Sequence, residues 1–211
     1  MAKHIFNMAD VSGDTRVIAR SAMGYDWNYL ADNETLLFGS TDETAFSVKN
    51  IIPGTGISTG TGTLFKGSVL RMGDVVETTI IIDLTGLNSG DADGDIIGKV
   101  ATANCHLGQI TAAKNGTVFA GSMQCVETPA GGEPDIDLWS ATEATGTEEA
   151  LITGLTETAL LAAAADWTGI LAPKGLTALP AAGGYLYLAG GGGVTNATYT
   201  AGKFVIKLYG Y

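Results

Sequence analysis

Residues 203–211 read Lys-Phe-Val-Ile-Lys-Leu-Tyr-Gly-Tyr, and this alternation decides the fold class. Phe204, Ile206 and Leu208 fall on one side of an extended chain, and Lys203, Val205, Lys207 and Tyr209 on the other. Side chains alternate across a strand, so one face of this segment belongs in a core. The run predicts a closing strand anchored in a sheet. A second run, 75–84, has the same period: Val76, Thr78, Ile80, Ile82 and Leu84 share one face, opposite Val75, Glu77, Thr79, Ile81 and Asp83.

Shorter strands are predicted at 15–23 and 35–38, separated by a polar turn containing Asp32-Asn33. Residues 185–189, the glycine loop 190–193 and the strand 203–209 predict a closing hairpin. Residues 53–63, Pro-Gly-Thr-Gly-Ile-Ser-Thr-Gly-Thr-Gly-Thr, read as a loop. So do residues 128–137, where two prolines and two glycines break a ladder. Residues 156–166 predict a helix of two to three turns, with Thr156 as N-cap and Glu157 in the first turn. The same stretch to Leu161 also reads as a strand. Many short strands and little helix predict an all-β chain, a single β-sandwich or jelly-roll-like domain over 16–211 behind an N-terminal arm, 1–15.

Composition narrows the function classes. Of 211 residues, 45% are hydrophobic and 16% charged, against about 25% charged in an average domain. A depleted charge content is expected where surface is covered by other chains. The net charge of −11 comes with scattered basic residues, which argues against binding a phosphate backbone. Residues 1–16 lack the continuous apolar stretch of a secretory signal, and no apolar run reaches membrane-spanning length. The expectation is synthesis in a cytosol.

Cys105 and Cys125 flank Lys114-Asn115-Gly116 symmetrically. Asn-Gly favours a tight hairpin turn, which would set the two cysteines opposite each other. They are then either a buried thiol pair or a disulfide formed late, since cytosolic synthesis favours thiols.

Signals for chemistry are weak. Asp91-Ala92-Asp93-Gly94-Asp95 resembles the start of a calcium loop, but Ile96 and Thr102 stand where an EF-hand needs Gly and Glu. An acidic turn is the simpler reading. Lys66-Gly67-Ser68 lacks the order and spacing of a phosphate-binding loop. His4 and His106 make neither a zinc site nor a triad without further ligands, and Cys105 and His106 would lie on opposite faces of a strand. Asp135 and Asp137 share a face, as a carboxylate pair would, though an acidic turn explains them as well. Trp27 with Tyr25 and Tyr29, together with Trp139 and Trp167, could stack on sugars; an interface or core is the stronger expectation.

The segments Ile82-Asp83-Leu84-Thr85-Gly86-Leu87-Asn88-Ser89, Asp95-Ile96-Ile97-Gly98, Glu133-Pro134-Asp135-Ile136-Asp137-Leu138 and the ending from Tyr199-Thr200-Ala201-Gly202 to Leu208-Tyr209-Gly210-Tyr211 resemble virion structural proteins of marine tailed bacteriophages. The resemblance covers residues 65–211. In size and β-content the chain is similar to capsid decoration (cement) proteins. That implies a non-enzymatic protein without cofactor, metal or catalytic residues. It also implies a homotrimer on the capsid exterior, made in the host cytoplasm, with the major capsid protein as partner and no nucleic acid or membrane. The alternative is a carbohydrate-binding module of a head or tail fibre. A major capsid subunit is disfavoured because no long helix is predicted.

Overall fold

The computed structural model describes residues 17–20, 26–29, 36–37, 46–169, 172–192 and 195–211. The expected arm, 1–15, and His4 lie outside these residues. Strands β1 (Val17–Arg20), β2 (Asp26–Tyr29), β3 (Leu36–Leu37), β4 (Phe46–Asn50), β5 (Leu64–Met72) and β6 (Val75–Asp83) form an antiparallel meander. They are followed by β7 (Asn88–Ser89), β8 (Gly108–Gln109), β9 (Val118–Ala130), β10 (Ile136–Ala141) and β11 (Glu157–Leu161). The last are β12 (Lys174–Gly175), β13 (Tyr185–Gly190), β14 (Ala197–Thr198) and β15 (Ala201–Gly210). Two one-turn helices, α1 (Thr55–Ser58) and α2 (Ala112–Asn115), interrupt them. The all-β, sandwich-like expectation with little helix holds.

Among the described residues the strands form a nine-stranded sheet in the order β1-β2-β3-β4-β5-β6-β15-β9-β12 and a four-stranded sheet in the order β11-β10-β13-β8. A small ladder pairs β14 with β7. The β5–β6 hairpin turns through Gly73 and Asp74, with Gly73 supplying the positive φ of +61° that a two-residue loop demands.

The two large sheets bury their facing sides on each other. From the nine-stranded sheet come Val76, Ile80, Ile82, Met123, Phe204, Ile206 and Leu208; from the other come Ile136, Leu138, Leu160, Leu186 and Leu188. Register sets Phe204 between Ile82 and Cys125, and Ile206 between Ile80 and Met123. Leu208 lies between Thr78 and Gly121, where a Cβ would stand 2.8 Å from Leu208 and 2.6 Å from Leu176. Glycine there makes room for both leucines. The smaller sheet is covered on its far side too, where Ile96, Cys105, Ala141, Ile152, Tyr187 and Ala189 pack together. That explains why β13 is buried almost throughout rather than on alternate residues.

Several expectations change. The 203–209 run does not pair with 185–189: β15 lies between β6 and β9, while β13 lies between β10 and β8 in the other sheet. The closing strand is therefore central, not an edge open to a neighbour's strand. Lys114-Asn115-Gly116 is no hairpin turn. Thr111 caps α2, and Asn115, fully buried, accepts from the Thr111 N–H at 2.8 Å and donates to Thr78 Oγ1 at 2.7 Å. Gly116, at φ +67°, takes the left-handed position instead. Residues 157–161 are the strand alternative, not the helix: pairing with β10 overrides local helical propensity. The 53–63 loop contains α1. The 128–137 loop is shorter than expected, because β9 runs through Pro129 to Ala130 where the ladder to β15 shifts register. A proline is tolerated at such a shift because it need not donate.

Candidate functional site

Among the described residues, two places carry the features that could act on another molecule. The first is the outward face of the nine-stranded sheet. Alternation puts Leu64, Lys66 and Ser68 of β5 beside Asp83, Ile81 and Thr79 of β6, and these beside Lys203, Val205 and Lys207 of β15. Lys203 bridges Asp83 at 3.0 Å and Glu127 at 2.8 Å, and Lys207 meets Glu77 at 2.9 Å. Burial raises the Asp83 carboxyl, but hydrogen bonds from Thr85 and Lys203 outweigh it and hold the group below the usual range. The hydrogen bond from Lys207 likewise lowers Glu77. These lysines are neutralised in place.

Apolar side chains lie open beside them. Ile52 is 63% exposed, Leu64 61% and Ile81 40%. They border an open groove of about 760 Å³, which Ile51, Ile57 and Phe65 also line. Met72 and Val75 extend the exposed apolar character to the β5–β6 turn.

The second place is at the start of β10. Asp135 and Asp137 are buried, 8% and 7% exposed, and Glu133 is buried beside them. Asp137 Oδ1 accepts from the Ala163 N–H at 2.6 Å. The Ala165 N–H hydrogen-bonds the Asp135 carboxylate, yet Asp135 Oδ1 is shielded from solvent and accepts nothing. Burial raises both carboxyls above the usual range. Asp166 and Glu133 push Asp135 further, Asp135 and Asp93 push Asp137, and Lys174 opposes in both cases.

The other residues singled out in the sequence scatter. Cys105 belongs to the cluster on the far side of the small sheet and Cys125 to the main core, so without the expected hairpin they are not opposite each other; both are free thiols. Burial pushes Cys105 up to about 12 and Cys125 in the same direction. His106 lies tilted at 56° against Tyr185, with ring centroids 4.8 Å apart, and burial lowers its pKa. Asp91 and Asp93 are exposed, whereas Asp95 turns inward to accept from the Ala92 N–H at 2.8 Å. Among the described residues no group of three or more His, Cys, Asp or Glu side chains is placed to hold a metal ion.

Trp167 is fully buried against Phe204 and donates to the Ile136 carbonyl at 2.9 Å. It is a core residue and offers no face to a sugar. Trp139 is half-buried, and the side chains of Tyr25, Trp27 and Tyr29 lie outside the described residues. The exposed apolar strip was missed in the sequence because Leu64, Ile81 and Ile52 sit on three separate segments. The chain matches no protein-family model, no curated protein and no solved structure.

Proposed function

We propose that this chain is a non-enzymatic structural protein of a bacteriophage particle, a decoration protein that seats the outward face of its nine-stranded sheet on the capsid shell. The observation that carries the binding role is the strip of Ile52, Leu64 and Ile81 along an open groove. Contiguous exposed apolar surface with a polar border marks a contact site. Lys203 and Lys207 of this face already have carboxylate partners, so contact over them need not bury an uncompensated charge. The viral setting, the major capsid protein as partner and the homotrimer rest on the sequence resemblance.

The test is co-sedimentation of the purified chain with capsid shells lacking it. The wild type should pellet with the shells in many copies per particle, and the Leu64→Asp, Ile81→Asp double variant should stay in the supernatant while melting at the wild-type temperature. Equal pelleting of the variant would remove this face from the contact. Binding to a glycan array that disappears in Trp27→Ala would favour the fibre module instead.

A further inference from the structure

We propose that Asp135 and Asp137 are a proton-binding pair that clamps the segment 162–167 and the glycine turn 190–192 onto the start of β10, tightening in acid and loosening as the pH rises. The geometry is specific. The two Oδ1 atoms lie 3.0 and 3.1 Å from the point where Gly191 would carry a Cβ, so both carboxylates converge beneath one residue of the turn. The Gly191 N–H donates to the Asp135 carbonyl at 2.8 Å, which fixes the turn over them. Asp137 Oδ1 holds the Ala163 N–H, a short bond of the kind an ionised acceptor makes. Asp135 Oδ1 is buried and has no donor.

An acceptor oxygen buried without a donor beside a second carboxylate is costly unless a proton or cation intervenes. The groups facing the pair make matters worse: Asp93, Glu133 and Asp166 are acidic, and Lys174 is the opposing charge. Lys174 is also engaged elsewhere, donating to the Ala163 carbonyl at 3.0 Å and lying 4.3 Å from the centre of the Trp167 ring. One proton taken from solvent resolves the conflict. Placed on Asp135 it removes the negative charge from the orphan oxygen, while Asp137 Oδ1 keeps the Ala163 N–H. The pair then loses its two protons in separated steps.

The clamp reaches the core. Ala163, Ala165 and Trp167 follow one another along the segment, and the Trp167 backbone N–H donates to the Pro134 carbonyl at 3.1 Å. Loosening the pair should therefore be felt at Trp167. The sign is fixed: the folded chain keeps this proton to higher pH than the unfolded chain does. Its stabilisation is complete below the ordinary carboxylate range and is lost as pH rises through the folded-state value.

The experiment is thermal unfolding of the full chain from about pH 4 to pH 8 for the wild type, Asp135→Asn and the exposed control Asp91→Asn. Asp135→Asn keeps a neutral donor at all pH values. It should melt about 2–4 °C above wild type at the alkaline end and coincide with it in acid, with no such convergence for the control. A pH-independent difference, or a less stable variant at alkaline pH, would overturn the proposal. Carboxyl carbon NMR on the wild type is the second readout: one of the pair should titrate above the ordinary range, and ordinary titration of both would overturn it. Calcium chloride that raises the melting point of the wild type but not of Asp135→Asn would replace the proton by a cation and also overturn it.

Discussion

Trp167 meets Phe204 edge-on, with ring centroids 5.5 Å apart and an interplanar angle of 84°. The contact joins the segment after β11 to the centre of the nine-stranded sheet. Both rings are fully buried, and the Trp167 indole N–H is satisfied by the Ile136 carbonyl. One aromatic pair thus links β10, β15 and the 162–167 segment. Such pairs contribute about 0.5–1.5 kcal/mol beyond the area they bury.

Phe204→Ala should cost about 3–5 kcal/mol, the range for truncating a buried aromatic side chain. Trp167→Ala should cost a similar amount, and the double variant should cost less than the two separately, because the shared contact is lost once. Urea unfolding of the four proteins measures the coupling. Strict additivity would mean the rings do not support each other.

Deleting residues 203–211 should abolish folding rather than only assembly. β15 contributes the central ladder between β6 and β9, and Tyr211 exchanges two hydrogen bonds with Thr117, at 2.9 and 3.2 Å. Without it, the meander β1–β6 and the strand β9 lose their common partner. Far-ultraviolet circular dichroism of the truncated chain should show loss of the β signal; a cooperative melt would contradict the central placement.

Cys105 and Cys125 should resist thiol reagents in the folded protein at pH 8 and react fully in denaturant. Both are buried, and burial keeps their thiols protonated. Labelling with iodoacetamide followed by intact mass gives the count. Rapid labelling of the native chain would show that one of the two sites opens.

Gly98→Ala should be strongly destabilising even though an added methyl is small. A Cβ at Gly98 would stand 2.3 Å from Cys105 Sγ and 2.9 Å from its Cβ. Gly175→Ala, where nothing lies within 4 Å, should be near neutral and serves as the control. Melting temperatures of the two variants should differ clearly; equal values would mean the cluster around Cys105 yields easily.

Much of the fold was legible where one face of a strand is buried and the other is wet. In 203–211 the alternation named the core residues correctly, Phe204, Ile206 and Leu208; in 75–84 it separated two faces, of which the one with Val76, Ile80 and Ile82 is core. The alternation was silent in β13, because a strand covered on both sides has no alternation to show. Composition misled at 156–166, where alanines suggest helix but pairing with β10 decides. The candidate site was half visible: Asp135 and Asp137 could be seen to share a face, but not that Gly191 and Ala163 close over them.

The sequence by itself determined the fold class, the strands at 75–84 and 203–211 with the two faces of each, and Phe204, Ile206 and Leu208 as core, because the two-residue period of a strand is a local property. Tertiary structure alone decided that 203–209 pairs with 75–83 and 118–130 rather than with 185–189, since partner choice depends on which apolar faces must be buried together. It also parted Cys105 from Cys125, brought Ile52, Leu64 and Ile81 into one exposed strip, and left Asp135 Oδ1 without a donor. Each of these depends on segments far apart in the chain, and no local pattern encodes their distance.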